Sequence, residues 1–403
     1  MPFRDAWLVV GILLVFVGYG AGEPSIIAVG FVVILIGGGT RFWSRHLFDR
    51  VDFERKLDER RVFLGESANL RVTLANRKFL PLPWYEWRLA IADTFLADGE
   101  VLSAAAVPGS SWLVRRGALG WYQHHDWTFR LEARERGYHL IGPGSLKSAD
   151  ILGVFPQTKT DEDGEHLVVF PRVLSMEDFG LDSDRPMGER KGRNRLFEDP
   201  LRLAGLREYR PGDPLKRIDW KATARSGELQ SRLYEPSATQ QLYLLVNIDT
   251  LAHSWEGYLK DDLEQTISVS ASVAVWASEH RFAVGILANG SFPEADRPIR
   301  LPPSRSRDQL TRVLEALAVI QPLTMGDLAQ SVRRESGRMP SGSTIVLVAS
   351  FIPPELAAVV NRLAAEGHRV SALVTSERAE TNLLFGVPVF TAARSAAWAG
   401  AER

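Results

Sequence analysis

The sequence predicts a membrane-anchored α+β protein of several domains: an N-terminal transmembrane helical hairpin, a β-sandwich-like domain and a doubly wound α/β domain. Three observations predict this order. Two uncharged runs open the chain, apolar residues then alternate with a period of two, and beyond residue 238 apolar runs alternate with amphipathic segments. The predicted boundaries are 1–45 (hairpin), 51–172 (sandwich), 173–205 (linker), 206–237 (the signature segment), 238–391 (α/β domain) and 392–403 (tail).

The predicted hairpin consists of helices over residues 6–21 and 26–40, neither of which contains a charged side chain. A helix over the first run would be about 24 Å long, against roughly 30 Å for the hydrocarbon core of a bilayer. Arg41, Arg45 and Arg50 follow the second run, whereas the turn carries only Glu23. The positive-inside rule therefore predicts a multi-pass protein of the inner (plasma) membrane with cytoplasmic soluble domains. A cleaved signal peptide is the alternative for the first run.

Residues 51–172 show the alternation that is typical of strands with one solvated face. Leu70, Val72 and Leu74 alternate with polar neighbours, and clusters of Gly, Pro and Asn separate such runs. An antiparallel β-sandwich is the expected result. Its tryptophans could form a carbohydrate-stacking surface, but a core role is expected for them. They are Trp84, Trp87, Trp112, Trp121 and Trp127.

Residues 238–391 combine short apolar runs with helical patterns. Near-continuous apolar strands separated by helices predict a mostly parallel sheet that is covered on both faces. Ligands of such sheets normally bind at the carboxyl ends of the strands. The predicted strands are 242–248, 282–288, 344–349, 369–375 and 387–390, and the predicted helices are 261–280, 308–319, 325–334 and 354–366.

The signature segment is unusually rich in charge, and residues 185–235 hold 13 Lys or Arg against 8 Asp or Glu. Asp213 is placed to cap a helix that begins at Pro214 and ends at Gly227. Ile218 and Trp220 are expected to be packed, so that Trp220→Ala would cost roughly 3 to 5 kcal/mol. The charges could form a salt-bridge lattice within the domain or dock an acidic partner.

Three motifs stand in this segment: Arg207-Glu208-Tyr209-x-Pro211-Gly212-Asp213, then Ile218-Asp219-Trp220-Lys221, then Ala224-Arg225. Their order resembles the signature of the domain-of-unknown-function family 58 (DUF58). The resemblance implies a von Willebrand factor A-like domain and a membrane protein that works with a MoxR-type AAA+ ATPase, often beside a transglutaminase-like membrane protein, in the assembly or maturation of complexes. The candidates for partner docking are Arg207, Glu208, Tyr209, Pro211, Gly212, Asp213, Arg217, Asp219, Trp220, Lys221 and Arg225.

A von Willebrand factor A domain often holds Mg²⁺ through Asp-x-Ser-x-Ser after its first strand, because a hard cation needs clustered oxygen ligands. The corresponding positions here are Asp249, Leu251 and His253, so two of the three oxygens are missing. Ser350 stands where an acidic ligand would be expected, and Thr324 matches the usual threonine ligand only loosely. A degenerate site without bound metal is therefore predicted near Asp249 and Ser350.

Signatures of catalysis are missing from the sequence: there is no phosphate-binding loop, no nucleophile elbow, no HExxH and no cysteine. We therefore predict no catalytic residue and no cofactor. A net charge of −1 gives no support to a nucleic-acid partner, whereas membrane lipid is expected as one. The predicted function is a membrane-anchored non-enzymatic adaptor. The alternative is a cell-envelope enzyme, or a glycan- or peptide-binding membrane protein that uses the tryptophan-rich β domain.

Overall fold

A computed structural model of the chain describes residues 6–97, 102–105, 107–181, 198–209, 218–236, 241–291 and 298–392. The chain divides into two compact units, Met1–Pro171 and Arg172–Arg403. Each unit has a hydrophobic core of its own. The fold is thus mixed α+β, as the sequence predicts.

Two apolar helices open the first unit, α1 (Ala6–Ala21) and α2 (Pro24–Arg45). Helix α2 is long and apolar enough to cross a membrane, whereas α1 is shorter than this criterion requires. Large apolar side chains such as Phe16 and Leu35 are exposed on both helices. A core helix of a soluble protein would bury these side chains, so α2 differs from such a helix.

Glycines allow α1 and α2 to approach each other closely. A β-carbon on Gly30 would lie 2.7 Å from the side chain of Val15, and one on Gly37 would collide with the ring of Trp7. Small residues of this kind are typical of helix contacts in membranes. The glycines at the contact, which we call the glycine seam, are Gly11, Gly18, Gly30 and Gly37.

The rest of the first unit consists of β-strands in three sheets, with strand orders β1-β3-β8-β5, β11-β10-β4-β7-β6 and β2-β12-β9. Only the pair β2–β12 is parallel. Strands of all three sheets contribute to one core, so this β-rich region consists of several sheets. The β-sandwich-like domain over 51–172 stays a prediction. The strands are β1 (Val51–Leu57), β2 (Arg61–Phe63), β3 (Ser67–Asn76), β4 (Leu82–Ala92), β5 (Phe95–Ala97), β6 (Ser103–Ala104), β7 (Ser110–Leu119), β8 (His124–Ala133), β9 (Gly137–Ile141), β10 (Gly144–Ser148), β11 (Gln157–Asp161) and β12 (Glu165–Phe170).

The tryptophans of this region do not share one role. Trp87 is fully buried. The centroid of its ring lies 5.5 Å from the ring centroid of Trp127 and 5.9 Å from that of Phe129. These side chains confirm the expected core role. Trp121 departs from it, because its ring is exposed in a loop and stacks on Phe79 instead.

The second unit contains a six-stranded sheet with strand order β17-β16-β15-β18-β19-β20. All pairs are parallel except β16–β17. Helices α6 and α7 pack on the face that carries Tyr243 and Leu245. The strands are β15 (Gln241–Asn247), β16 (Ala283–Ser291), β17 (Pro298–Ser304), β18 (Thr344–Ala349), β19 (Arg369–Val374) and β20 (Val389–Thr391), and the helices are α4 (Lys260–Glu279), α5 (Gln309–Ala318), α6 (Leu328–Ser336) and α7 (Pro354–Ala365).

The beginning of the predicted linker is packed into the second unit. Met176, Phe179 and Leu181 are buried, and the backbone N–H of Leu174 donates to the Ser272 hydroxyl over 2.9 Å. Residues 173–181 thus hold buried apolar side chains and a hydrogen bond to α4, and the linker bounds of 173–205 stay a prediction. Residues 182–197 lie outside the described residues.

Candidate functional site

The described part of the signature segment is built on a β-hairpin of strands β13 (Glu198–Glu208) and β14 (Gln230–Pro236). Arg207 pairs with Ser231 and Glu208 with Gln230. The backbone N–H of Tyr209 donates to the carbonyl of Leu229 over 2.8 Å, which extends the pairing by one bond. The Arg207-Glu208-Tyr209 block thus forms the end of a strand.

A short helix, α3 (Trp220–Ser226), follows between the two strands. The Asp219 carboxylate accepts a 3.0 Å hydrogen bond from the N–H of Ala222, and Gly227 ends the helix at φ +77°. Asp219 is therefore the N-cap of the described helix, with the geometry of a side-chain cap. Of the predicted docking residues, four lie outside the described residues: Pro211, Gly212, Asp213 and Arg217.

Hydrogen bonds attach α3 to β14. The Asp219 N–H donates to the Gln230 carbonyl over 2.8 Å, and the Gln230 N–H donates to the Thr223 hydroxyl over 3.0 Å. Ile218 is buried and forms an isolated β-bridge with Ser231. Ile218 therefore confirms the expected packing, but as an extended residue rather than as part of the predicted helix.

Trp220 is 68% exposed, which corrects the expectation that it packs. Ile218 occupies the place against β14 and the chain turns at Asp219, so the indole is left at the first position of α3. Lys221 and Arg225 are also exposed, and neither forms an ion pair with any residue that the structure describes. Exposed aromatic and cationic side chains are common at the centres of protein interfaces.

A second candidate lies at the carboxyl ends of the parallel strands. The Thr324 hydroxyl donates to Asp249 Oδ1 over 2.7 Å, and Asn289 Nδ2 donates to Asp249 Oδ2 over 2.8 Å. Asn289 Nδ2 also lies 2.8 Å from Asn247 Oδ1. This network joins the ends of β15 and β16 to the loop before α6.

The Asp249 carboxylate has a raised pKa, chiefly because of burial and despite the hydrogen bonds from Thr324 and Asn289. The His253 ring is exposed and packs on Trp255 with 4.2 Å between ring centroids. Among the described residues, no three His, Asp or Glu side chains form a group that could hold a metal ion. The structure thus brings Thr324 to Asp249, and both carboxylate oxygens are engaged by protein donors. The absence of metal remains a prediction.

Residues 205–396 match the family model described as protein of unknown function DUF58. The chain carries a DUF58 domain. The uncharacterized protein YeaD of Bacillus subtilis is 24% identical over 221 residues, which are 54% of this chain and 51% of YeaD. The chain thus spans about half the length of this curated relative.

Solved structures give only distant similarity. The CARDB domain of a Pyrococcus furiosus protein, solved with di-metal ions, has a TM-score of 0.21 at 14% identity and covers 30% of this chain and 96% of its own. Spo0M, a sporulation control protein from Bacillus subtilis, has a TM-score of 0.19 at 13% identity and covers 30% of this chain and 49% of its own. Scores this low carry no argument about fold or function.

The DUF58 domain also exposes apolar side chains near Asp249, which the sequence analysis did not single out. Trp255 is 80% exposed in the loop that follows β15, and Leu323 is exposed beside Thr324. An isolated aromatic residue between a strand and a helix gives no periodic signal, so the exposure of Trp255 could not be predicted from the hydrophobic pattern of the sequence. The DUF58 domain therefore offers two exposed tryptophans, Trp220 and Trp255.

Proposed function

We propose that this protein is a membrane-anchored, non-enzymatic adaptor whose DUF58 domain docks a MoxR-type AAA+ ATPase and so assists the assembly or maturation of protein complexes. The observation that carries the proposal is the exposure of Trp220 within the signature segment. Trp and Arg are among the residue types enriched at interface hot spots, and Trp220 lies beside exposed cations in the signature segment.

The cations beside Trp220 indicate the charge expected on the partner's surface. Lys221 and Arg225 are exposed on α3 without ion pairs in the described chain. An acidic surface on the ATPase would complement them and would raise the rate of association at low salt. The alternative of a salt-bridge lattice receives no support at these two positions.

Membrane anchoring by a two-helix hairpin is part of the same proposal. Helix α2 is long enough to span, and the glycine seam supports α1 as its partner in the bilayer. Arg41, Arg45 and Arg50 after α2 favour a cytoplasmic soluble part in a multi-pass protein of the inner membrane. A transglutaminase-like membrane protein would then be a neighbour in the same bilayer.

We infer a von Willebrand factor A-like fold for the DUF58 domain. Its mostly parallel sheet and the site at the end of β15 support this fold. Asp249 occupies the position of the first acidic ligand, and Thr324 lies against it as the threonine ligand would. Leu251 and His253 replace the serines of the usual motif. We infer a domain of this type that has lost the ligands for a metal.

The alternative function, an envelope enzyme or a glycan- or peptide-binding protein, depends on exposed tryptophans in the β-rich region. Trp87 is instead in the core, and Trp127 packs on it. Trp121 is exposed, but its neighbour Phe79 covers one face of the ring. These observations favour the adaptor.

The proposal is tested by capture of partners from solubilised membranes. The full chain in mild detergent should retain an AAA+ ATPase, identified by mass spectrometry, and the double variant Lys221→Glu with Arg225→Glu should lose most of it without a change in melting temperature. Capture by the wild type should also weaken as salt rises. Undiminished capture by the folded double variant would remove α3 from the interface.

A further inference from the structure

A loop of the β-rich region is fixed against the carboxyl-terminal turn of α2. The Ser44 hydroxyl donates to the Phe155 carbonyl over 3.1 Å, and Gln157 Nε2 donates to the Ser44 hydroxyl over 3.0 Å. The Arg41 guanidinium lies 5.5 Å from the centre of the Phe155 ring. The loop that ends at Phe155 therefore lies level with the last turn of the helix.

This loop is rigid but exposes apolar side chains. The Asp150 carboxylate accepts hydrogen bonds from the N–H groups of Leu152 (3.0 Å) and Phe155 (2.6 Å), which fix the backbone. Ile151, Leu152 and Val154 nevertheless lie more than half exposed, with Leu152 at 59%. We call residues 151–154 the first apolar loop.

A second group of apolar side chains lies beside the turn that follows α2. Lys78 Nζ donates to the carbonyls of Leu47 and Asp49, and the Tyr122 N–H donates to the Lys78 carbonyl over 3.2 Å. Phe79 stacks on Trp121 with 4.4 Å between ring centroids. The exposed side chains Phe79, Trp121 and Tyr122 form the second apolar loop region.

These two regions hold most of the large apolar side chains of the β-rich region that are more than half exposed, whereas Leu96, Tyr138 and Leu140 are 40 to 49% exposed. Among the described residues of 51–171, Val107 is the only other large apolar side chain that is more than half exposed. Single apolar side chains scattered over a surface would need no explanation. A concentration of exposed apolar side chains beside the end of α2 indicates an interaction surface. Trp and Tyr are the residues that favour the headgroup level of a bilayer.

We propose that the two apolar regions rest in the headgroup layer of the bilayer that holds α2, so that the β-rich region lies directly on the membrane. The uncharged run of α2 ends at Thr40, and residues 41–45 extend it by only about 7.5 Å. The contacts of Ser44 and Arg41 with Phe155 therefore hold the first apolar loop at the level of the headgroups. Lipid is the occupant because the surface is continuous with the end of α2. The inference rests on the proposed membrane anchoring by α2 and is independent of the proposed ATPase.

Site-directed fluorescence tests this arrangement, because the chain contains no cysteine and accepts single labels. Leu152→Cys and Val154→Cys would carry an environment-sensitive dye in the full chain, reconstituted into phosphatidylcholine and phosphatidylglycerol vesicles. Nitroxide lipids in the same vesicles report proximity to the bilayer. Phe31→Cys in α2 serves as the inserted control, and Glu59→Cys, at the far end of β1, as the aqueous control.

Labels at 152, 154 and 31 should be quenched several-fold more by nitroxide lipid than the label at 59, which iodide in the buffer should quench most. If the labels at 152 and 154 behave like the label at 59 while the label at 31 is quenched, the β-rich region stands away from the bilayer and the proposal is wrong. An unquenched label at 31 would also overturn it, because α2 would then lie outside the membrane. No ATPase is present in these vesicles, so the result is independent of partner docking.

Discussion

At the scale of single residues, Lys78 has the clearest measurable role. Its ammonium group donates to the Leu47 and Asp49 carbonyls, and burial lowers its pKa from the usual 10.5 to about 8. Lys78→Met leaves both carbonyls without this donor, so it should lower the free energy of unfolding by about 1 to 3 kcal/mol at pH 7.5. Urea unfolding of the full chain in detergent measures this, with the exposed Lys147→Met as control.

Lys78 also gives stability a defined pH dependence. Between pH 8 and 10.5 the unfolded chain binds more protons at this residue than the folded chain, so its contribution to stability rises with pH in that range. The wild type should gain stability between pH 8 and pH 10 relative to Lys78→Met. Parallel profiles for the two proteins would show that Lys78 does not titrate in this range.

Asp249 should not make the protein dependent on a divalent ion. Thr324 and Asn289 already donate to its two carboxylate oxygens, and a cation would have to displace them. Millimolar Mg²⁺ is therefore expected to leave the melting temperature unchanged, whereas a ligand at a hundredfold excess over Kd would add about 2.7 kcal/mol. A rise of several degrees that Asp249→Ala abolishes would identify a metal site.

Single residues also show where sequence reasoning reaches its limit. The sequence predicts that Ile218 is buried, and the structure confirms it, because Ile218 lies against Ser231 of β14. The same prediction is wrong for Trp220, because the exposure of its side chain depends on where the helix starts. The position of a helix start relative to a neighbouring strand is set by tertiary hydrogen bonds that local pattern does not contain.

At the scale of secondary-structure elements, the pairing of α1 and α2 depends on the glycine seam. Gly30→Leu should force the helices apart, because its β-carbon would lie 2.7 Å from Val15. Overpacking of this kind typically costs about 1 to 3 kcal/mol. Gly39→Leu is the matched control, because a β-carbon there meets nothing within 4 Å. Thermal unfolding in detergent should show a lower melting temperature for Gly30→Leu alone, and equal values would contradict close packing.

The elements differ in how well the sequence predicts them. Alternation predicts strand β3 and apolar runs predict β15 and β18, because burial on one or both faces of a sheet determines which positions of a strand are apolar. Residues 173–181 show no such pattern of apolar positions. Their polar composition indicates a linker, yet the side chains of Met176, Phe179 and Leu181 are buried.

At the scale of the whole molecule, the proposed orientation in the membrane rests on the charges that flank α2. A reporter fused to the carboxyl terminus should be active as a fluorescent protein and inactive as alkaline phosphatase, because Arg41, Arg45 and Arg50 favour the cytoplasmic side. A phosphatase fused in the turn at 22–25 should be active. The reverse pattern would place the DUF58 domain outside the cytoplasm, away from any AAA+ ATPase.

The affinity of the purified full chain for the AAA+ ATPase tests the central claim most directly. Trp220→Ala should weaken binding by at least about tenfold, because truncation of a central tryptophan typically costs about 2 kcal/mol or more. Trp255→Ala is the matched control, because Trp255 is also exposed (80%, against 68% for Trp220) and lies in the loop after β15. The adaptor account predicts loss of affinity for Trp220→Ala and wild-type affinity for Trp255→Ala. Wild-type affinity of a folded Trp220→Ala protein would contradict it.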